Sequence, residues 1–134
     1  MRPPAPRTSA LPGEGHATII SRETAEHYTW GDGCDGWHLV KTPELSVILE
    51  RMPPGTSEVR HWHLRARQFF FALTGTSTLE IAGARHTLAP GTGAEVPPGA
   101  PHQLLNLSAD PIEFLVISQP PTIGDREPTP PADG

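Results

Sequence analysis

The chain has 134 residues, a length that suits one domain with one hydrophobic core. Its 17 prolines, 13 glycines and 36% hydrophobic content argue for short strands and tight turns rather than long helices. A net charge of -5 with ten scattered Lys and Arg residues leaves no basic stripe for a phosphate backbone, which argues against a nucleic-acid partner; no apolar run approaches the roughly 18–20 residues that span a bilayer.

The first segment, residues 1–15, carries four prolines and little apolar material, so it reads as a flexible arm. It lacks the apolar core of a signal peptide, and the single cysteine, Cys34, forms no internal disulfide. Both features fit a cytoplasmic protein. Ser21 to Tyr28 is expected to form one or two helical turns with Ser21 as N-cap. The glycine-rich stretch Gly31 to Gly36 reads as a loop.

Nine short β-like runs follow: Trp37–Lys41, Leu45–Arg51, Glu58–His63, Gln68–Leu73, Ser77–Ile81, Arg85–Leu88, Ala94–Val96, His102–Leu107 and Ile112–Ser118. Turn signals such as Pro53-Pro54-Gly55, Thr74-Gly75 and Pro97-Pro98-Gly99 separate them. This spacing predicts an all-β sandwich or barrel over residues 16–118. Residues 119–134, again proline-rich, are expected to be a flexible tail.

His61 and His63 lie two apart on a predicted strand, which puts both imidazoles on one face, where they can grip a divalent metal. Taken alone, such a pair is equally well two surface histidines. Gln68 follows across a short turn, and its amide oxygen is a candidate third ligand. His102, after the Pro97-Pro98-Gly99 turn, is a candidate fourth.

The wider spacing is more specific. Gly55, five residues, His61, one, His63, four, Gln68, six, Gly75 resembles the first cupin motif, with Gln68 where that motif has Glu. Gly91, five residues, Pro97, one, Gly99, two, His102, three, Asn106 resembles the second motif at every position. The resemblance to the cupin superfamily implies a double-stranded β-helix, or jelly-roll barrel. It also implies one divalent transition metal, Fe(II), Mn(II), Ni(II) or Zn(II), on His61, His63, Gln68 and His102, and no nucleotide cofactor. Asn106 is expected to tie strands together rather than touch metal.

Gln68 carries no charge and takes no proton, so it is no general base, and the ligand set leaves a divalent ion at +2. If His61 and His63 face inward, period-2 alternation puts Val59 inward and Glu58, Arg60 and Trp62 outward. Phe70, Ala72, Trp37 and Glu50 are candidates for the substrate pocket, and Glu50 is the most plausible inward base among several acids.

Three functions compete. The preferred one is a non-haem dioxygenase acting on a small organic molecule. The second is a non-redox isomerase, cyclase or lyase, ranked lower because no base is singled out. The third is a small-molecule binding or sensing module. A homodimer is expected, with Phe69, Phe71 and Trp62 offering outward apolar area.

Overall fold

The computed structural model describes residues 17–132, so the arm expected over residues 1–15 lies outside the described residues. Among the described residues eleven strands form in chain order: β1 (Glu26–Trp30), β2 (Cys34–Lys41), β3 (Ser46–Met52), β4 (His61–His63), β5 (Arg67–Thr74), β6 (Ser77–Ile81), β7 (Ala84–Leu88), β8 (Gly93–Val96), β9 (His102–Leu105), β10 (Ile112–Gln119) and β11 (Arg126–Pro128). They build a six-stranded sheet, β1-β2-β3-β10-β5-β8, and a five-stranded sheet, β11-β4-β9-β6-β7. All pairings are antiparallel. The chain crosses between sheets from β3 to β4 and again from β4 to β5, as a jelly roll requires. Among the described residues no helix is long and apolar enough to cross a membrane.

Register on the large sheet sorts the inward side chains into rows. Gln68, Ser118 and Ser46 make one row; Phe70, Val116, Ile48 and His38 the next; Ala72, Phe114, Glu50, Gly36 and Tyr28 a third. The polar ends of these rows lie where a site can form. Their apolar centres join Met52, Leu79, Val96, Leu104 and Ile112 in the core. Burying a side chain of this size stabilises the fold by about 1.5–3 kcal/mol. Gly75 permits the turn between β5 and β6: its φ is +74°, and a Cβ there would meet the Pro111 carbonyl oxygen at 2.7 Å.

Three local expectations need correction. The helix expected over Ser21 to Tyr28 is a single turn, in which the Thr24 and Ala25 N–H groups donate to the Ser21 carbonyl, followed by strand β1. Pairing with β2 over Glu26–Trp30 outweighs the weak local helix signal. The loop ends at Gly33, because Cys34 to Gly36 already pair with β1. The tail expected to be loose over residues 119–134 contains β11, which pairs with β4 in register Arg126↔His63 to Pro128↔His61. Asp125, just before it, is buried and accepts from the N–H groups of Arg65 and Ala66.

Asn106 holds strand ends together as expected. Its amide donates to the carbonyls of Met52 and Asp110, and its oxygen accepts from Ser108.

Candidate metal centre

The sequence scatters His61, His63, Gln68 and His102 over β4, β5 and β9, and the fold brings them together. His61 and His102 are direct partners across the β4–β9 pair. His63 follows on the same face of β4, and Gln68 enters from the facing sheet on β5. All four side chains are buried. One ring nitrogen from each histidine lies within 4.8 Å of the others.

Backbone carbonyls orient two of the rings. His61 Nδ1 lies 2.7 Å from the Val59 oxygen, and His102 Nδ1 lies 3.0 Å from the Ala100 oxygen. Each contact places the ring proton on Nδ1 and leaves the Nε2 lone pair free, the tautomer that a metal ligand needs. Burial, the largest effect, pushes the His61 pKa down to about 3 and that of His102 to about 4, so both rings are neutral at pH 7. Burial also lowers His63.

Two features fit a cation at this point. Neither ring nitrogen of buried His63 has a hydrogen-bond partner among the described residues. His102 Nε2 also lies 2.9 Å from Gln68 Oε1, while Gln68 Nε2 donates to Ser118 Oγ at 3.0 Å. With the proton on Nδ1, two lone pairs face each other there, and a positive ion between them reconciles the contact. A buried donor set of three neutral imidazoles and one amide oxygen matches a divalent transition metal.

The surrounding cavity, about 150 Å³, is also lined by Tyr28, Glu50, Glu58, Phe70, Ser118 and Arg126. Glu50 is thus the inward acid expected. Phe70 lines the cavity and sits edge-on to His102 at 5.7 Å. Ala72 shares the inward face but lies deeper, against Phe114, in the core and outside the cavity. Trp37 is a clear correction: alternation along β2 points it outward, where it packs against His27 at 5.2 Å beneath the Arg22 guanidinium. Its neighbour His38 takes the inward row.

The alternation expected for residues 58–60 also fails. Strand β4 begins only at His61, and the preceding segment holds a lone bridge, Ser57↔Leu105. Val59 is accordingly 61% exposed, and Glu58 turns inward to accept from the Leu104 N–H at 2.8 Å. Arg60 does point away from the cavity, forming a two-point pair with Glu80.

The two inward carboxylates are unusual. Burial pushes Glu50 up to about 7, against the opposing effects of the Tyr28 hydrogen bond and the Arg126 charge. Burial, reinforced by the charge of Glu50, pushes Glu58 up to about 8. The Tyr28 hydroxyl donates to Glu50 Oε2 at 3.0 Å. Its ring reaches Glu50 by lying directly over Gly36, where a Cβ would sit 2.3 Å from the ring carbon Cζ.

The sequence profile of the cupin domain family matches residues 48–118, more than half of the chain, and the chain belongs to that family. Its fold and its buried histidine cluster are those of a small cupin domain. A protein of uncharacterised function from Methanocaldococcus jannaschii is 24% identical over 84 residues, covering 63% of this chain and 67% of the relative. Among solved structures, a sugar phosphate isomerase of the cupin superfamily from Silicibacter pomeroyi superposes with a TM-score of 0.70 at 24% identity, over 76% of this chain and 75% of that one. The polyketide cyclase RemF from Streptomyces resistomycificus gives a TM-score of 0.70 at 17% identity, over 84% and 83% of the two chains. These likenesses establish the fold.

Proposed function

We infer that this protein is a metal-dependent enzyme that moves protons on a small oxygen-bearing substrate, in an isomerisation, cyclisation or elimination. The observation that carries this reading is the placement of Glu50 and Glu58 in one cavity with the histidine cluster, both titrating in the neutral range. Carboxylates tuned to neutrality suit general acid–base catalysis at working pH. A dioxygenase, the preference drawn from sequence, needs at most a base to ionise its substrate, whereas moving a proton within a substrate uses both a base and an acid. The non-redox reading lacked only a named base, and Glu50 supplies one.

A divalent ion on His61, His63, Gln68 and His102 would supply Lewis-acid polarisation of a substrate oxygen. Glu50 takes the substrate proton, with the Tyr28 hydroxyl favouring its ionised form. Glu58, with the higher pKa, holds the proton to be returned. Arg126 lines the same cavity and offsets the negative charge that develops there. Phe70 and Val116 keep one wall apolar and limit water. Two proteins that share the fold are named an isomerase and a cyclase, and neither name denotes an oxidation.

The test is proton exchange under nitrogen. Metal-loaded protein is incubated in deuterated water with sugar phosphates and 1,3-dicarbonyl compounds, and the products are read by proton NMR. Expected are isomerised, cyclised or cleaved products carrying deuterium, with the rate falling about 100-fold or more in Glu50→Gln. Turnover that requires oxygen and consumes it mole for mole would return the function to dioxygenase chemistry.

A further inference from the structure

The metal cavity, at about 150 Å³, is smaller than the 300–1,000 Å³ typical of ligand pockets, so it holds little beyond the reacting end of a substrate. A larger chamber of about 510 Å³ adjoins it, and Ile48 and Thr122 line both. The outer chamber is bounded by β2 and β3 on one side and by residues 120–123 on the other. Its walls combine two kinds of surface. Pro43, Ile48, Pro120, Pro121 and Ile123 are apolar, while Lys41, Arg65 and His38 are basic or polar, and among the described residues no carboxylate lines it.

The polar groups keep donor capacity. Arg65 has five N–H donors, and its Nη1 lies 3.7 Å from Asp125. Lys41 is held over the chamber by Glu26 at 3.0 Å and remains half exposed. His38 Nδ1 is buried and has no hydrogen-bond partner among the described residues, although the ring is steadied by Tyr28 at 5.1 Å. A buried polar atom with no partner is costly unless a ligand or water completes it.

We propose that the outer chamber binds the non-reacting part of the substrate, and that the substrate is an organic acid whose apolar body lies along Ile48 and the Pro120–Ile123 wall and whose anionic group is recognised by Lys41, Arg65 and His38. This rests on the reading above that the reacting end sits at the histidine cluster. The order of residues then fixes the substrate's direction. Its oxygen-bearing reactive end passes Ile48 and Thr122 to reach the cavity of Glu50, and its carboxylate stays at the mouth. Tyr28 links the two halves, bonding Glu50 on one side and lying tilted against His38 on the other.

The probes are 4-phenylbutyrate and its neutral amide, titrated calorimetrically into three samples: metal-loaded protein, the same protein stripped by a chelator, and metal-loaded Lys41→Met/Arg65→Met. Both substituted side chains are more than half exposed, so the double variant keeps the fold. The acid is expected to bind loaded and stripped protein alike, to bind the double variant about tenfold more weakly, and to bind better than the amide. Equal affinity for acid and amide, or affinity unchanged in the double variant, overturns the proposal. So does binding that vanishes on stripping, because the acid would then be a metal ligand only. Metal content and deuterium exchange measured on the same samples show separately whether the metal-site reading stands.

Discussion

Gln68 is the ligand position where one atom changes the character of the site. Its amide oxygen faces His102 Nε2 and its nitrogen bonds Ser118 Oγ. In Gln68→Glu the Ser118 hydroxyl turns from acceptor to donor, so the side chain keeps its seat while the centre gains a negative charge. Metal affinity is expected to rise, by elemental analysis or competition with a chromogenic chelator, whereas His61→Ala is expected to lose most of the metal. Loss of metal in Gln68→Glu would remove Gln68 from the ligand set. Tyr28 acts on the other side of the cavity. Its hydrogen bond lowers the Glu50 pKa, so Tyr28→Phe should raise it above about 7 and move the acid limb of the pH–rate profile to higher pH. Gly36→Ala should reproduce that shift without replacing any titratable residue, because the new Cβ displaces the Tyr28 ring. An unmoved acid limb in both variants would separate Glu50 from the rate.

At the scale of elements, the ligands depend on strands and turns that the sequence marks unevenly. Ser77–Ile81 was legible to the residue, and eight other strands to within one to three residues at most ends, because alternating side chains and proline–glycine turns announce them. The four ligand candidates were legible from motif spacing alone. Strand β11 was not: Arg126, Glu127 and Pro128 are all exposed and leave no hydrophobic pattern, and their strand form comes only from main-chain pairing with β4. Strand β1 was hidden by a helix-like run, and Tyr28 with it. Glu58 faces inward, against period-2 alternation, because that alternation does not hold before β4 starts at His61. Two of these misses share a cause: β11 and Glu58 take their places from partners far along the chain, β4 and Leu104, rather than from local pattern. The tail now carries a prediction. Asp125 accepts from two backbone N–H groups in the turn between β4 and β5, which positions both His63 and Gln68. Asp125→Ala leaves those donors unpaired and should cost about 3 kcal/mol in chemical denaturation. It should also weaken metal binding, and a variant equal to wild type in both respects would show that the turn holds itself.

For the whole molecule, the cavity groups set how stability follows pH, and they oppose one another. In the metal-free protein His61 and His102 titrate near 3 and 4, far below the ordinary 6.5, and His63 is lowered as well. Stability from these groups is present above the unfolded value and is lost as pH falls through the folded values. Glu50 and Glu58 run the other way. Their folded values of about 7 and 8 exceed the ordinary 4.5, so their contribution is full below 4.5 and is lost as pH rises towards 8. Near pH 5.5 the unfolded chain holds up to three extra histidine protons and the folded chain two extra carboxyl protons, so at most one proton is left unbalanced. Below pH 4.5 the unfolded carboxylates also bind protons, the histidine effect stands alone, and stability falls steeply. Above pH 6.5 the histidine effect is spent, and the carboxylates make stability fall gently. The metal-free protein should therefore be most stable at about pH 6, with each unbalanced proton worth about 1.4 kcal/mol per pH unit. Urea denaturation of chelator-treated protein from pH 4 to 8 measures this directly. Glu50→Gln should flatten the alkaline side and steepen the slope near pH 5.5, since it removes one raised carboxyl that acts in both ranges and leaves the histidines in place. A profile level from pH 4 to 8 would mean that these groups keep ordinary protonation in the fold, and the acid–base roles of Glu50 and Glu58 would fall with it.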